Sequence, residues 1–194
     1  MGRVQVNVMG RTRVQSVFSF NHYAAITRTL QEHLLRYGYL PQETQIIDDA
    51  NLFLTKAGDQ IIDRLFTFQR NGRELAFRPE FTTLASRHYA LDEKLHNQTV
   101  RWQFSGPIFS TEQSSGMPDF SIGSELIGVA STESDVEILN AAINGLLALK
   151  INNFQIILGH AGLINAVMDY FALDMRTQSI ILQHRAVLRY SGQD

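Results

Sequence analysis

Apolar residues recur at three- and four-residue spacing from Tyr23 to Tyr37, through Ala25, Ile26, Leu30 and Leu34. That period predicts an amphipathic helix with Gly38 as its stop. Upstream, residues 1–21 are weakly periodic, with a β-rich stretch at 14–20. Residues 44–47 read as a short strand, and Asp48 and Asp49 before Ala-Asn-Leu-Phe-Leu predict a capped turn or short helix. Segments 65–69 and 74–77 flank Arg70-Asn71-Gly72-Arg73. Asn-Gly accepts the positive φ angles of a tight turn, so a hairpin is predicted there. After Pro79, residues 81–91 read as a helix with Leu84, Ala85 and Tyr89 on one side. Residues 100–105 and 108–111 read as strands broken by Gly106-Pro107, residues 113–118 as a loop, and 121–129 as a strand. Thr132 with Asp135 predicts the N-cap of a long helix over 133–150. Its stripe of Ile138, Ala141, Ala142, Gly145, Leu146 and Leu149 is core packing. Residues 154–158 have a buried-strand pattern ending in Gly159-His160-Ala161-Gly162, and 163–171 and 177–189 read as helices. A block of strands with helices around it predicts an α+β fold.

Composition narrows the class. At 194 residues the chain is long enough for one domain with a real core, and one domain over 1–194 is the expectation. Hydrophobic residues at 44% and charged residues at 19% are ordinary for a soluble globular protein. No apolar run is long enough for a transmembrane helix, and the N-terminal arginines lack the apolar stretch of a secretory signal. The absence of cysteine excludes disulfides, thiolate nucleophiles and Cys-type zinc sites, which fits a cytoplasmic protein. A net charge of −2 without a basic stripe argues against a dedicated nucleic-acid binder. The short cluster of Arg3, Arg11 and Arg13 reads as a solvated terminus.

Arg78-Pro79-Glu80 lies at the end of the predicted hairpin. Pro79 fixes its own φ and pushes Arg78 toward an extended shape. Glu80 and Thr82 then open the next helix, where both can cap backbone N–H groups. A strand-to-helix cap with a local salt bridge is one reading. The other is an amino-acid receptor, with Glu80 facing a ligand ammonium and Thr82 adding a hydrogen bond. The six histidines show no metal-ligand spacing, and Ser105-Gly106 and Ser115-Gly116 read as loop serines, not a nucleophile elbow. Arg87 reads as part of a solvated helix face or as a partner of a pocket carboxylate. Trp102, the only tryptophan, reads as a core or interface anchor.

Residues 77–87, FRPEFTTLASR, resemble the LRPE-T segment of histidyl-tRNA synthetases and their paralogues. Gly106-Pro107-Ile108-Phe109 with Glu112, and then Ile122-Gly123-Ser124-Glu125-Leu126-Ile127-Gly128, are similar to that family's second class II motif and the strand behind it. The helix at 23–37 with Tyr37-Gly38-Tyr39 resembles the first motif, and Leu158-Gly159-His160-Ala161-Gly162-Leu163 a later segment. Together these cover residues 23–170 approximately.

The resemblance implies a class II aminoacyl-tRNA synthetase-like antiparallel sheet flanked by helices. It implies that Glu80 and Thr82 bind the α-amino group of histidine and that Glu125 lies at the pocket floor. Glu112 would sit near the nucleotide end, and Ser121 at the rim where the family has glutamine. The departures lie at that nucleotide end. Ser110 occupies the place of the arginine that grips ATP, the following loop is shorter and lacks its arginines, and Gln45 replaces a first-motif proline. Residues 1–194 hold no counterpart of the glycine-rich histidine motif, the third class II motif or the anticodon-binding domain. The core is therefore expected to be incomplete on its C-terminal side.

Adenylation needs such cations to stabilise charge developing on phosphate. The implied protein is a non-catalytic paralogue of the kind found as regulatory subunits of ATP phosphoribosyltransferase, in histidine biosynthesis. The implied partners are a short-form catalytic subunit, histidine as effector, and a second copy paired through the helix at 23–37. No cofactor, metal or membrane is implied. Two alternatives remain open: a fragment of a divergent synthetase, and an interaction protein with a vestigial pocket.

Overall fold

The computed structural model describes residues 4–7, 20–56, 62–112 and 118–188. They belong to two compact units, Arg13–Asn153 and Met1–Thr12 with Phe154–Asp194. The predicted stretch at 14–19, the loop at 113–117 and Arg3, Arg11 and Arg13 lie outside the described residues.

In the larger unit, helix α1 spans Phe20–Arg36, so Phe20 opens a helix rather than closing a strand. Its apolar stripe ends at Leu34, which is buried with Tyr39 and Ala141 against Ile122, Leu126 and Ile138. Strand β2 (Leu40–Pro41) follows at once. Strand β3 is Ile47–Asp49, later than the predicted 44–47. The shift has a cause: the Thr44 carbonyl accepts from the Arg78 guanidinium, and Ile46 O from the Arg78 backbone N–H just beyond β5, so the ladder begins at Ile47. Asp49 Oδ1 accepts from Asn51 N at 3.0 Å and starts helix α2, Ala50–Lys56. Strands β4 (Thr67–Arg70) and β5 (Arg73–Phe77) form the predicted hairpin, with φ of 53° at Asn71 and 73° at Gly72. Their sheet runs β3-β5-β4, all antiparallel.

Helix α3, Thr82–Leu91, buries Leu84 and Ala85 as its pattern requires. Strands β6 (Val100–Ile108) and β7 (Asp119–Ile127) pair antiparallel along their whole length. The predicted break at Gly106-Pro107 is therefore absent, and Ser105 lies in a strand rather than a loop. β2 runs parallel to β6 but meets only Trp102 and Gln103. Pro107 consequently sits where β6 has one ladder partner, a position that tolerates its missing N–H.

Alternation along β6 builds a two-faced sheet. Trp102 and Phe104 pack on Phe81 and Ala85 from the α3 side. Arg101 and Gln103 face the other way, where they bond Glu137 and the carbonyls of Tyr39 and Gln31. Helix α4, Thr132–Ala148, covers that second face through Ala141. Its cap is Ser131, not Thr132 with Asp135. Ser131 is extended; its hydroxyl accepts from Ser134 N, and its own N–H donates to the Ser134 hydroxyl.

The smaller unit contains β1 (Val4–Asn7) antiparallel to β8 (Ile157–His160), with helices α5 (Ala161–Tyr170) and α6 (Met175–Leu188). The strand begins later than the predicted 154–158 and is not buried: Leu158 is 59% exposed. β1 is its described ladder neighbour, and a two-stranded sheet leaves much of its surface open. Helix α6 starts two residues before the predicted 177 because the Asp174 carboxylate accepts from the N–H groups of Arg176 and Thr177. Among the described residues, no helix is long and apolar enough to cross a membrane.

Candidate functional site

The corner between β5 and α3 turns on Arg78 to Thr83. Glu80 caps the helix as its position suggests: both carboxylate oxygens accept from Thr83 N, at 3.0 and 3.2 Å. Thr82 does something else. Its hydroxyl donates across to Glu125 Oε1 on β7 at 2.5 Å. The Thr82–Glu125 bond ties the start of α3 to the middle of the long hairpin, and Glu80 stands two residues before Thr82 at the same helix start. Glu80 makes no salt bridge among the described residues.

The floor beside this corner follows from strand periodicity. Ile122 and Leu126 pack toward α1 and α4. Ser121, Gly123 and Glu125 therefore share the opposite face, toward α3. A Cβ built on Gly123 meets no atom within 4 Å, so the strand leaves open space between Ser121 and Glu125. Glu125 and the Thr82 hydroxyl border that open patch, and the Glu80 carboxylate is held at the start of the same helix. A small ligand carrying an ammonium group fits that chemistry.

Position 110, a serine, uses its hydroxyl to accept from Glu112 N at 3.3 Å. Glu112 pairs with Arg64 at 2.9 Å in a solvent-exposed contact. Thr111 N donates to the Arg64 carbonyl, which stitches this segment to the chain before β4. Arg64 was no candidate from sequence, because nothing local marks a cation so far from residue 112. Arg87 does not reach the carboxylate corner: its guanidinium grips both oxygens of Asp48 and also donates to Gln45. Trp102 is buried beside Phe104 with the His88 ring tilted against it, as a core anchor. His33 is buried with its ring nitrogen 2.9 Å from the Ala141 carbonyl. Among the described residues no cluster of three or more ligating side chains could hold a metal.

Two clefts lie near the corner without containing it. One of about 660 Å³ is lined by Thr44, Gln45, Arg87, His88, Asp92 and Lys94 among others. The other, about 440 Å³, includes Gln31, Thr44, Arg78, Phe81, Gln103 and Ser105. Neither is bounded by Glu80, Thr82 or Glu125, so the case for the corner rests on its chemistry rather than on concavity.

Behind the sheet, Arg101 forks onto Glu137 with two 2.7 Å bonds, and Tyr39 donates to the same carboxylate at 3.0 Å. The Arg101 hydrogen bond holds the Glu137 carboxyl below the usual range. Burial, with the Glu137 bond, pushes the Tyr39 phenol well above its ordinary value.

An antiparallel hairpin sheet with a capped RPE corner on one face and two helices on the other defines a class II aminoacyl-tRNA synthetase-like domain. The family profile for histidyl-tRNA synthetase matches residues 18–189, and the chain belongs to that family. Among curated relatives, a histidine–tRNA ligase of Methanococcus vannielii is 31% identical over 160 residues, 80% of this chain and 38% of that protein. An ATP phosphoribosyltransferase regulatory subunit of Oceanobacillus iheyensis is 28% identical over 177 residues, 91% of this chain and 44% of that protein. The chain therefore spans less than half the length of these relatives. A crystal structure described as an ATP phosphoribosyltransferase regulatory subunit/histidyl-tRNA synthetase from Bacillus halodurans superposes with a TM-score of 0.78 at 20% identity. It covers 95% of this chain and 51% of that one, and it shows a common fold.

Proposed function

We propose that this chain is the histidine-binding core of a regulatory subunit of ATP phosphoribosyltransferase and does not itself catalyse adenylation. One observation carries the reading. Thr82 bonds Glu125 across the sheet and Glu80 caps the same helix start, which supports an amino-acid end, while position 110 holds a serine. A hydroxyl cannot supply the fixed bidentate cation that grips a phosphate and a carboxylate together. The Oceanobacillus relative supports the regulatory role, and the methanogen ligase keeps a synthetase origin in view.

In this reading Glu80 and Thr82 receive the ammonium of free histidine, and its ring lies over Gly123 toward Glu125. Ser121 and Glu112 form the rim. Histidine acts on a short-form catalytic subunit by binding one assembly state better than another, since equal affinity for both would shift nothing. α1 pairs two copies, and the assembly works in the cytoplasm without a cofactor.

The reading is tested by mixing the chain with a short-form catalytic subunit and following phosphoribosyl transfer with and without histidine. The expected result is co-elution and histidine-dependent activity. Pyrophosphate exchange into ATP with histidine should be absent. Robust exchange would instead identify the core of a divergent synthetase. Co-elution that is indifferent to histidine would leave only an interaction surface.

A further inference from the structure

Arg78 is 4% exposed and forms no salt bridge with any described carboxylate. Its charge is spent on oxygens of the chain itself. Nε donates to the Pro107 carbonyl at 2.8 Å, and Nη1 donates to both the carbonyl and hydroxyl of Thr44 at 2.9 Å. The guanidinium carbon lies 4.7 Å over the Phe81 ring. The backbone continues the pattern, with Arg78 N donating to Ile46 O and Phe109 N donating to Arg78 O. One residue thus joins three segments: the loop before β3, the end of β6, and the corner that carries Glu80 and Thr82.

Gly106 makes room for it. A Cβ there would stand 2.7 Å from Nη2, and the φ of 151° favours glycine as well. Burial lowers the pKa of Arg78, so holding the cation in this place is costly. A planar fork can bond two differently placed acceptors rigidly, which a lysine ammonium on its flexible stem cannot. An apolar residue would fill the same space at lower desolvation cost but would link nothing.

We propose that Arg78 is a positioning residue: it locks the Glu80–Thr82 corner against β6 and so preforms the amino-acid site. The proposal rests on the histidine-site reading for its functional consequence, but the lock itself has its own readout. That readout is hydrogen–deuterium exchange of peptides over residues 78–86, compared with peptides from α4, in the wild type, Arg78→Lys, Gly106→Ala and the combined variant. Histidine affinity by calorimetry is measured alongside.

Arg78→Lys and Gly106→Ala should each speed exchange at the corner roughly tenfold or more, a local opening of about 1.4 kcal/mol or more. Exchange in α4 should stay unchanged, and histidine binding should weaken by a comparable factor. The combined variant should be no worse than Gly106→Ala alone, because the methyl displaces a guanidinium that lysine already lacks, and the φ strain of alanine at 106 is common to both variants. A general structural role would instead loosen α4 equally, and that result overturns the proposal. Additive effects, or unchanged exchange at the corner, overturn it too. If Arg78→Lys fails to fold, Gly106→Ala decides on the same criteria. Failure of the wild type to bind histidine would sink the site reading and leave the exchange comparison to judge the lock.

Discussion

Glu80→Ala removes two contributions that the geometry allows to be separated. The first is the cap: both carboxylate oxygens accept the Thr83 N–H, and losing such a cap costs about 1 kcal/mol of stability. The second, on the proposed histidine site, is the counter-charge for a ligand ammonium. Truncating one partner of a hydrogen-bonded charge pair costs about 2–5 kcal/mol when the pair is buried. Glu80 is half-buried, so the lower part of that range applies. About 2–3 kcal/mol corresponds to roughly 30- to 150-fold weaker histidine binding. Glu80→Gln keeps an oxygen for Thr83 and loses the charge. Calorimetry with histidine, beside thermal denaturation, should show Glu80→Gln melting near the wild type with most of the affinity gone. Glu80→Ala should lose both. A Glu80→Gln variant with wild-type affinity would refute the role of Glu80 as counter-charge.

Gly123→Val should fill the open floor beside Glu125 and weaken histidine binding by about tenfold or more. Its thermal midpoint should barely move, because a Cβ at position 123 meets no atom within 4 Å; unchanged affinity would place the ligand elsewhere. A urea double-mutant cycle on Arg101 and Glu137 should give a coupling of about 1 kcal/mol, discounted because the arginine is partly exposed. The folded Glu137 carboxyl binds its proton less tightly than the unfolded one. Its stabilisation is therefore present above the ordinary glutamate value of about 4.3 and lost as pH falls through the lower folded value. The wild-type urea midpoint should drop more steeply on acidification than that of Glu137→Gln. Tyr39 works in the opposite sense: its raised pKa makes its contribution complete below about 10 and lost as pH climbs beyond. Tyr39→Phe should flatten that alkaline decline.

Local chemistry explains which parts of the fold could be read in advance. The Asn71-Gly72 turn, the α1 helix and the Leu84–Ala85 face of α3 depend on neighbours a few residues away, and they form as the pattern predicts, although Ala25 of the α1 stripe is exposed. Gly106-Pro107 misleads because the two residues usually stop a strand; here β7 pairs through them while β2 ends short of Pro107. The Ser131 cap lost to Thr132 in the reading because one residue of register separates two good capping candidates. The site shows the same divide. Motif resemblance marks Glu80, Thr82 and Glu125 as candidates, and the cap formed by Glu80 is legible from its place at a helix start. That Thr82 would reach across to Glu125 rather than cap its own helix depends on two segments 43 residues apart. The grip of Arg78 on Thr44 and Pro107, and the pairing of Arg64 with Glu112, are long-range contacts with no local signature.

The central claim is that the amino-acid end of a synthetase site is retained while the nucleotide end is not. Calorimetric titration of the wild-type chain with free histidine, and separately with ATP, tests it most directly. The account predicts saturable binding of histidine at one site per chain and no heat of binding from ATP. Binding of ATP with no binding of histidine would contradict it.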